Sequence, residues 1–125
     1  MIDAALVTRF ADLLGSRAIT TDPDEIAPWT TDWRGRFHGA AAAILSPSST
    51  AEVAAVVALA NRLGVPLVPQ GGNTSMVGGA TPPADGRALI LSLRRLNRIR
   101  SLSVEDNLAV CEAGVILSTL HEAAD

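Results

Sequence analysis

The sequence has very little cysteine, lysine and aromatic content. Cys111 is the only cysteine among 125 residues, all ten basic residues are Arg, and aromatic residues make up 3%. A lone cysteine excludes an intramolecular disulfide and a cysteine-rich metal site, and it favours a reducing compartment. No apolar run approaches the roughly 20 residues that span a bilayer, and residues 1–3 lack the basic and apolar regions of a signal peptide. These absences predict a cytoplasmic protein without a transmembrane segment.

The charge balance argues against a nucleic-acid partner. The formal net charge is −3 and the isoelectric point is near 5.2, whereas proteins that bind polyanions usually carry a basic surface. The remaining composition, 48% hydrophobic and 18% charged with ten Gly and seven Pro, is typical of one globular unit. It excludes disordered and low-complexity classes.

Apolar periodicity predicts a helix and then an irregular connection at the start of the chain. Apolar residues recur at helical spacing over residues 2–14 and stop before Gly15, a residue that often follows a helix end. Periodicity disappears from residue 19 to residue 38, where Asp and Pro mark turns. We expect Trp29 and Trp33 to pack this connection against the rest of the protein.

A strand, a helix and a second strand are predicted next, within the roughly 30 residues of a parallel crossover. The apolar run 40–45 predicts the first strand, and residues 49–52, Ser-Thr-Ala-Glu, fit a helix capping box. Gly64 ends the helix, and residues 65–68 form the second strand. One apolar stripe of the helix comprises Val53, Val56, Val57, Ala60 and Leu63.

The second half of the chain predicts two more strands and a helix. Apolar runs at 89–93 and 108–112 read as strands. The segment 94–106 between them reads as a charged, solvated connection that carries Arg94, Arg95, Arg98 and Arg100. Apolar spacing after Gly114 predicts a helix that ends with the chain and has little to pack against, so we expect the chain to be a piece of a longer protein.

The isolated titratable residues carry no catalytic assignment. His38 and His121 each lack a second ligand at metal-binding spacing, and a lone histidine is more often a packing residue than a base. Asp32 and Glu112 could act as paired carboxylates only if they lay close together with a raised pKa. Cys111 lies in an apolar strand pattern and reads as a small buried hydrophobe.

Residues 69–79, Pro-Gln-Gly-Gly-Asn-Thr-Ser-Met-Val-Gly-Gly, are the most informative segment. They directly follow a predicted buried strand, which is where ligands of α/β sheets bind. Glycines let backbone amides approach a phosphate, and Asn, Thr and Ser can add hydrogen bonds. A diphosphate is the ligand that fits, although an ordinary glycine-rich surface loop fits the composition equally well.

Two common phosphate loops do not fit this segment. It has no Gly-Lys-Ser/Thr ending, so the lysine and the metal-binding hydroxyl of a P-loop are missing. It also has no Gly-x-Gly-x-x-Gly that opens a helix, which excludes the nicotinamide fingerprint. A third type of loop is required.

The segment resembles the pyrophosphate loop of FAD-binding oxidases of the vanillyl-alcohol oxidase and p-cresol methylhydroxylase fold. Further blocks lie at residues 31–35, 46–47, 49–53, 91–93, 97–99 and 112–115. In order and spacing they resemble the D-2-hydroxy-acid dehydrogenase branch, which includes D-2-hydroxyglutarate dehydrogenases, D-lactate dehydrogenases and the flavin subunit of glycolate oxidase.

The resemblance implies a set of cofactor-binding residues. Those that would line the FAD diphosphate or complete its loop are Pro69, Gln70, Gly71, Gly72, Asn73, Thr74, Ser75, Gly78 and Gly79. Ser75 departs from the family, where Gly is usual, and its side chain could crowd a phosphate or donate to it. Asn73 stands where members with covalently attached FAD carry His, so noncovalent FAD is expected.

The resemblance also implies a fold, a domain division and an activity. The fold would be the N-terminal α/β (α+β) lobe of a p-cresol methylhydroxylase-type domain, with a small, partly parallel sheet flanked by helices. Residues 1–39 would form the entry, 40–106 the first lobe, and 107–125 the start of a second. The full-length protein would oxidise a small-molecule D-2-hydroxy acid by hydride transfer to FAD, with its catalytic residues outside this chain.

Two alternatives from other functional classes stay open at this point. The chain could be a noncatalytic remnant or interaction module, or a domain that binds another nucleotide diphosphate through the same loop. Exposed strand edges in a half domain would also permit self-association.

Overall fold

The computed structural model describes residues 2–125 and shows a four-stranded sheet between two layers. The strand order is β1-β2-β4-β3, with β2, β4 and β3 parallel and β1 antiparallel to β2, while β5 and β6 form a separate antiparallel pair. The elements are α1 (Ala4–Leu14), β1 (Ile19–Thr20), α2 (Pro23–Ile26), β2 (Ala41–Leu45), α3 (Thr50–Leu63), β3 (Leu67–Gln70), β4 (Ala88–Ser92), β5 (Ile99–Ser103), β6 (Leu108–Cys111) and α4 (Leu117–Ala124). The predicted α/β fold is confirmed.

Both long helices begin at a capping side chain and end at a glycine. Asp3 Oδ1 accepts a hydrogen bond of 2.8 Å from the amide three residues later, and Gly15 follows α1 with φ of 86°. Ser49 Oγ accepts from the Glu52 amide at 3.1 Å, and Gly64 follows α3 with φ of 64°. The capping box is only half formed, because the Glu52 carboxylate accepts from the amide of the residue before the cap, at 2.6 Å.

The two faces of the sheet bury different side chains because side chains alternate along a strand. Leu89 faces α1 and α3, whereas Ile90 faces the segment that contains α2 and Trp29. All of β4 is buried, as expected of a central parallel strand. Truncating a side chain in such a core to Ala costs about 2–5 kcal/mol. The larger cluster comprises Val7, Phe10, Ala43, Leu45, Val56, Leu59, Ala60, Val65, Leu89 and Leu91.

Two residues expected in the packed interior lie at the surface. Trp33 is 60% exposed, so of the two tryptophans only Trp29 packs against the sheet. Val57 is 48% exposed, and Leu59 takes its place in the core. Leu59 lies three residues after Val56 and four before Leu63, so the buried face of the helix is shifted toward Leu59 and away from Val57 relative to the predicted stripe.

The prediction of an irregular connection over residues 94–106 is wrong, because strand β5 lies within it, whereas most of the segment is exposed to solvent as predicted. This strand pairs with β6, and the turn between them includes Asn107 with φ of 50°. The arginines obscured the strand because they read as a charged surface. Cys111, predicted to be buried, is only half-buried in β6. The proposed domain boundary at residues 106/107 falls in the turn between these two strands and stays a prediction.

Glu112 links the two strands of this hairpin to each other. Through Arg100, it also links the hairpin to the start of helix α3. The carboxylate is buried and accepts hydrogen bonds from the Arg98 amide at 3.0 Å and from Arg98 Nη2 at 3.1 Å. Arg100 Nη2 lies 3.3 Å from the same carboxylate and 3.3 Å from Thr50 Oγ1. The Arg98 amide, aided by both guanidinium groups, lowers the pKa of Glu112.

Helix α4 lies on the surface of the protein. None of its residues, all within the described part of the chain, is buried, which agrees with the prediction that it has little to pack against. Across residues 2–125, no helix combines the length and the apolar character that crossing a bilayer requires.

The substitution Glu112→Gln tests the anchoring of the hairpin. Because the folded-state pKa is lowered from 4.5, the ionised carboxylate stabilises the fold above that pH, and the stabilisation is lost as the pH falls through the folded-state pKa. We expect the variant to unfold at lower urea concentration than the wild type at pH 7. Its stability should also decline less steeply between about pH 5 and pH 3.

The matched control is Glu105→Gln, at an exposed carboxylate between β5 and β6. This control should keep the wild-type dependence of the urea midpoint on pH. If Glu112→Gln kept the full wild-type acid dependence as well, the assigned role of Glu112 would be wrong.

Candidate nucleotide-binding site

The glycine loop, residues 71–79, leaves the carboxyl end of strand β3. The neighbouring strand β4 ends beside it, and the Leu93 amide donates to the Gln70 carbonyl at 2.9 Å. Two parallel strands therefore open their carboxyl ends toward the same loop. This is the edge of an α/β sheet at which ligands bind.

The loop presents unpaired backbone donors. Within the described residues 2–125, no amide from Gly71 to Gly78 donates a hydrogen bond to a protein atom. A Cβ built at Gly71 would meet nothing within 4 Å, and one at Gly72 would meet only the Thr74 methyl at 3.9 Å. Neither glycine has a positive φ. Internal packing and backbone conformation therefore give no reason for glycine at these two positions.

Gln70 and Asn73 fasten the loop from beneath. Gln70 Nε2 donates to the carbonyl oxygens of Trp29 at 2.9 Å and Ala80 at 2.8 Å, and Asn73 Nδ2 donates to the Thr31 carbonyl at 2.8 Å. Both side chains are buried, and Asn73 has φ of 56°. Their amide groups are thus engaged inside the protein, and the backbone amide of Asn73 stays unpaired.

The second half of the loop closes on itself. Ser75 Oγ accepts a hydrogen bond from the Gly79 amide at 3.0 Å. Gly78 has φ of 76°, and a Cβ there would lie 3.1 Å from the Phe37 ring. Ser75 therefore braces the second half of the loop. Thr74 is exposed beside the unpaired amides.

Asp32 shapes the turn that brings Phe37 to the loop. Its Oδ1 accepts hydrogen bonds of 2.7 Å from the amides of Arg36 and Phe37. The Phe37 amide makes the largest contribution to lowering the pKa of Asp32, against the opposing effect of burial. Asp32 and Glu112 each bind local backbone donors with a lowered pKa, which is the opposite of what paired acid–base carboxylates need.

A cleft of about 550 Å³ lies between the glycine loop and the start of α4. Within residues 2–125, Arg94 is its only charged lining residue, and the Arg94 Cζ lies 3.9 Å from the centroid of the Trp29 ring. The sequence prediction missed Arg94 because its aromatic partner is distant in sequence. The lining residues are Gly71, Gly72, Thr74, Arg94, Asn97, Ala113, Gly114, Val115, Ile116, Leu117 and Thr119.

In the described part of the chain, other candidate sites lack the combination of a cation and unpaired amides that would bind an anion. A cavity of about 490 Å³ lies between α1 and the strands β1 and β2, and Asp3 is the only charged residue among the described residues that line it. His38 Nδ1 lies 3.2 Å from Thr31 Oγ1, and His121 lies on the exposed helix α4. Among the described residues, no group of three His, Cys, Asp or Glu side chains could hold a metal ion.

Residues 41–125 match the family described as FAD binding domain. Two relatives are D-2-hydroxyglutarate dehydrogenases by name. The protein from Stutzerimonas stutzeri is 34% identical over 125 residues, which is 100% of this chain and 26% of that protein. The probable mitochondrial enzyme from Oryza sativa subsp. japonica is 35% identical over 114 residues, which is 91% of this chain and 20% of that protein. The chain therefore spans about a fifth to a quarter of their length.

Solved structures share the architecture. p-Cresol methylhydroxylase with substrate bound has a TM-score of 0.82 at 24% identity, covering 95% of this chain and 24% of that one. 4-Ethylphenol oxidase from Gulosibacter chungangensis has a TM-score of 0.79 at 30% identity, covering 98% of this chain and 25% of that one. The p-cresol methylhydroxylase-type fold predicted from the sequence is confirmed. From the family match and the shared architecture together, the chain belongs to the FAD binding domain family.

Proposed function

We propose that the glycine loop binds the diphosphate of FAD through its backbone amides. The observation that carries this proposal is the run of unpaired amides from Gly71 to Gly78, in which Gly71, Gly72 and Thr74 line the cleft. Successive backbone N–H groups in a loop form a concave site for anions. The space where a Cβ would stand at Gly71 and Gly72 lets a phosphate approach this backbone closely.

The loop fits this role because its conformation is fixed before a ligand arrives. The Gln70 and Asn73 amides hold the backbone against the segment 28–31, and Ser75 braces the turn to Gly79. Preorganised donors need not be ordered upon binding, which preserves affinity. The proposed cofactor-binding set stays as the sequence predicts: Pro69, Gln70, Gly71, Gly72, Asn73, Thr74, Ser75, Gly78 and Gly79.

Within the whole protein, the proposed reaction is oxidation of a D-2-hydroxy acid to a 2-oxo acid. FAD, when bound, supplies the hydride acceptor. This chain binds and orients the nucleotide part of the cofactor, and its amides offset the charge of the diphosphate. Among the described residues, the cleft lining includes no Asp, Glu or His, so no residue of the chain is assigned to move the hydroxyl proton or to bind the substrate carboxylate. Those groups belong to other parts of the protein.

We propose that the flavin is held noncovalently. Residues 69–79 contain no His or Cys, and Asn73 donates its side-chain amide to backbone carbonyls away from the cleft. The cytoplasmic location stays a prediction, since relatives include proteins named mitochondrial. Self-association also stays a prediction.

The substitution Gly72→Asp tests the diphosphate site, with Gly72→Asn as the matched neutral control. Both side chains have room because Gly72 has an ordinary φ and an open Cβ position. A carboxylate a few ångströms from a phosphate should weaken ADP binding by about fivefold or more, while adenosine binding stays unchanged. Titration calorimetry of the two variants gives the comparison. Equal ADP affinity for the two variants would contradict the placement of the diphosphate.

A chimera tests the assignment to a D-2-hydroxy-acid dehydrogenase. This chain would replace the matching segment of the Stutzerimonas stutzeri enzyme, with which it aligns over its whole length. We expect the chimera to bind FAD, to release it on denaturation, and to oxidise D-2-hydroxyglutarate. The same chimera with Gly72→Asp should lose flavin.

Three results of this experiment would count against the proposal. A folded chimera without flavin would contradict the FAD assignment. Flavin that stays on the denatured protein would contradict noncovalent binding. A folded, flavin-loaded chimera without turnover would favour the noncatalytic alternative.

A further inference from the structure

Among the residues that the structure describes, Arg94 is the one cation that lines the cleft beside the glycine loop. The sequence contains no lysine, so its positive side chains at neutral pH are the ten arginines. The neighbouring arginines are engaged elsewhere: Arg95 donates to the Ser46 carbonyl at 2.7 Å, and Arg98 and Arg100 pair with Glu112. Arg94 has no carboxylate partner among the described residues.

Trp29 fixes the position of this cation. The Arg94 Cζ lies 3.9 Å from the centroid of the Trp29 ring, and Arg94 Nε lies 3.4 Å from Ser92 Oγ. The Trp29 carbonyl in turn accepts the hydrogen bond from Gln70 Nε2 at the base of the glycine loop. One residue therefore connects the cation to the backbone that presents the unpaired amides.

The turn that carries Arg94 is also held from the opposite side. The Gly114 amide donates to the Leu96 carbonyl at 2.7 Å. A Cβ at Gly114 would lie 2.9 Å from the Arg94 Cα and would collide with the Leu93 carbonyl oxygen. This close approach requires glycine at position 114. It holds the turn that carries Arg94 against the segment around Gly114, which also lines the cleft.

The chemistry of this arrangement suits a phosphate. A guanidinium whose face covers an aromatic ring keeps its N–H donors at the edge, and those donors match phosphate oxygens in pairs. Arg94 and the glycine loop line the same cleft. We propose that Arg94, held by Trp29, binds the diphosphate of the nucleotide together with the amides of the glycine loop. This inference rests on the proposed function of that loop.

The test compares Arg94→Gln with Arg62→Gln, in which the same charge is removed from the exposed surface of α3. ADP and adenosine are the probes, and calorimetry at two salt concentrations gives the affinities. We expect Arg94→Gln to weaken ADP binding about tenfold or more, since hydrogen bonds to charged groups are among the stronger ones. Adenosine binding should be unchanged, and the salt dependence of ADP binding should become weaker. Arg94→Lys should restore part of the affinity.

A second measurement needs no variant. In the wild-type protein, the NMR signal of the Arg94 Nε–H group should shift with ADP and stay unchanged with adenosine. An unshifted signal, together with equal ADP affinity for Arg94→Gln and Arg62→Gln, would overturn the role of Arg94. If Gly72→Asp still weakened ADP binding in that case, the glycine loop would keep its proposed function. If no variant altered ADP binding, both proposals would fail.

Discussion

The attachment of two buried side-chain amides to one irregular segment is the constraint on which the candidate site depends. Gln70 and Asn73 extend from the end of β3 to the carbonyl oxygens of Trp29 and Thr31. A buried backbone carbonyl needs a donor, and the segment 28–31 has no sheet partner apart from one bridge at Thr31. The same hydrogen bonds satisfy carbonyl oxygens of that segment and hold the glycine loop, in which the backbone amides from Gly71 to Gly78 have no acceptor among the described residues.

Buried polar groups play a similar role elsewhere in the fold. Asp32 collects the amides of the turn before β2, and Glu112 collects the Arg98 amide and two guanidinium groups at the hairpin. In each case the pKa of the carboxyl group is lowered mainly by a backbone N–H. These acids therefore organise loops around the sheet, while the unpaired donors are left to the cleft. The buried carboxylates thus maintain the fold, whereas the unpaired amides of the glycine loop are available to bind a ligand.

The sequence predicted the regular elements well, because their signals are local. The strands β2 and β4, the helix α3 and the glycine loop all follow from apolar runs, caps and glycines within a few residues. Strand β5 was missed because its arginines find their partner, Glu112, only after the hairpin has formed. Likewise, no local pattern connects Arg94 with Trp29, since the sheet brings them together. Among the predicted loop residues, the side-chain amides of Gln70 and Asn73 bind carbonyl oxygens inside the protein, whereas the backbone amides of residues 71–78 are unpaired in the described part of the chain. Sequence spacing does not contain this distinction.

The most direct measurement is an NMR titration of the backbone amides of the wild-type protein with ADP, and with adenosine as the control. The account predicts that the amides from Gly71 to Gly78 shift strongly with ADP and little with adenosine. Amides around the cavity beside α1 should remain unchanged with either ligand. Shifts confined to that cavity, or equal shifts of the glycine loop with both ligands, would contradict the claim that these unpaired amides receive a diphosphate.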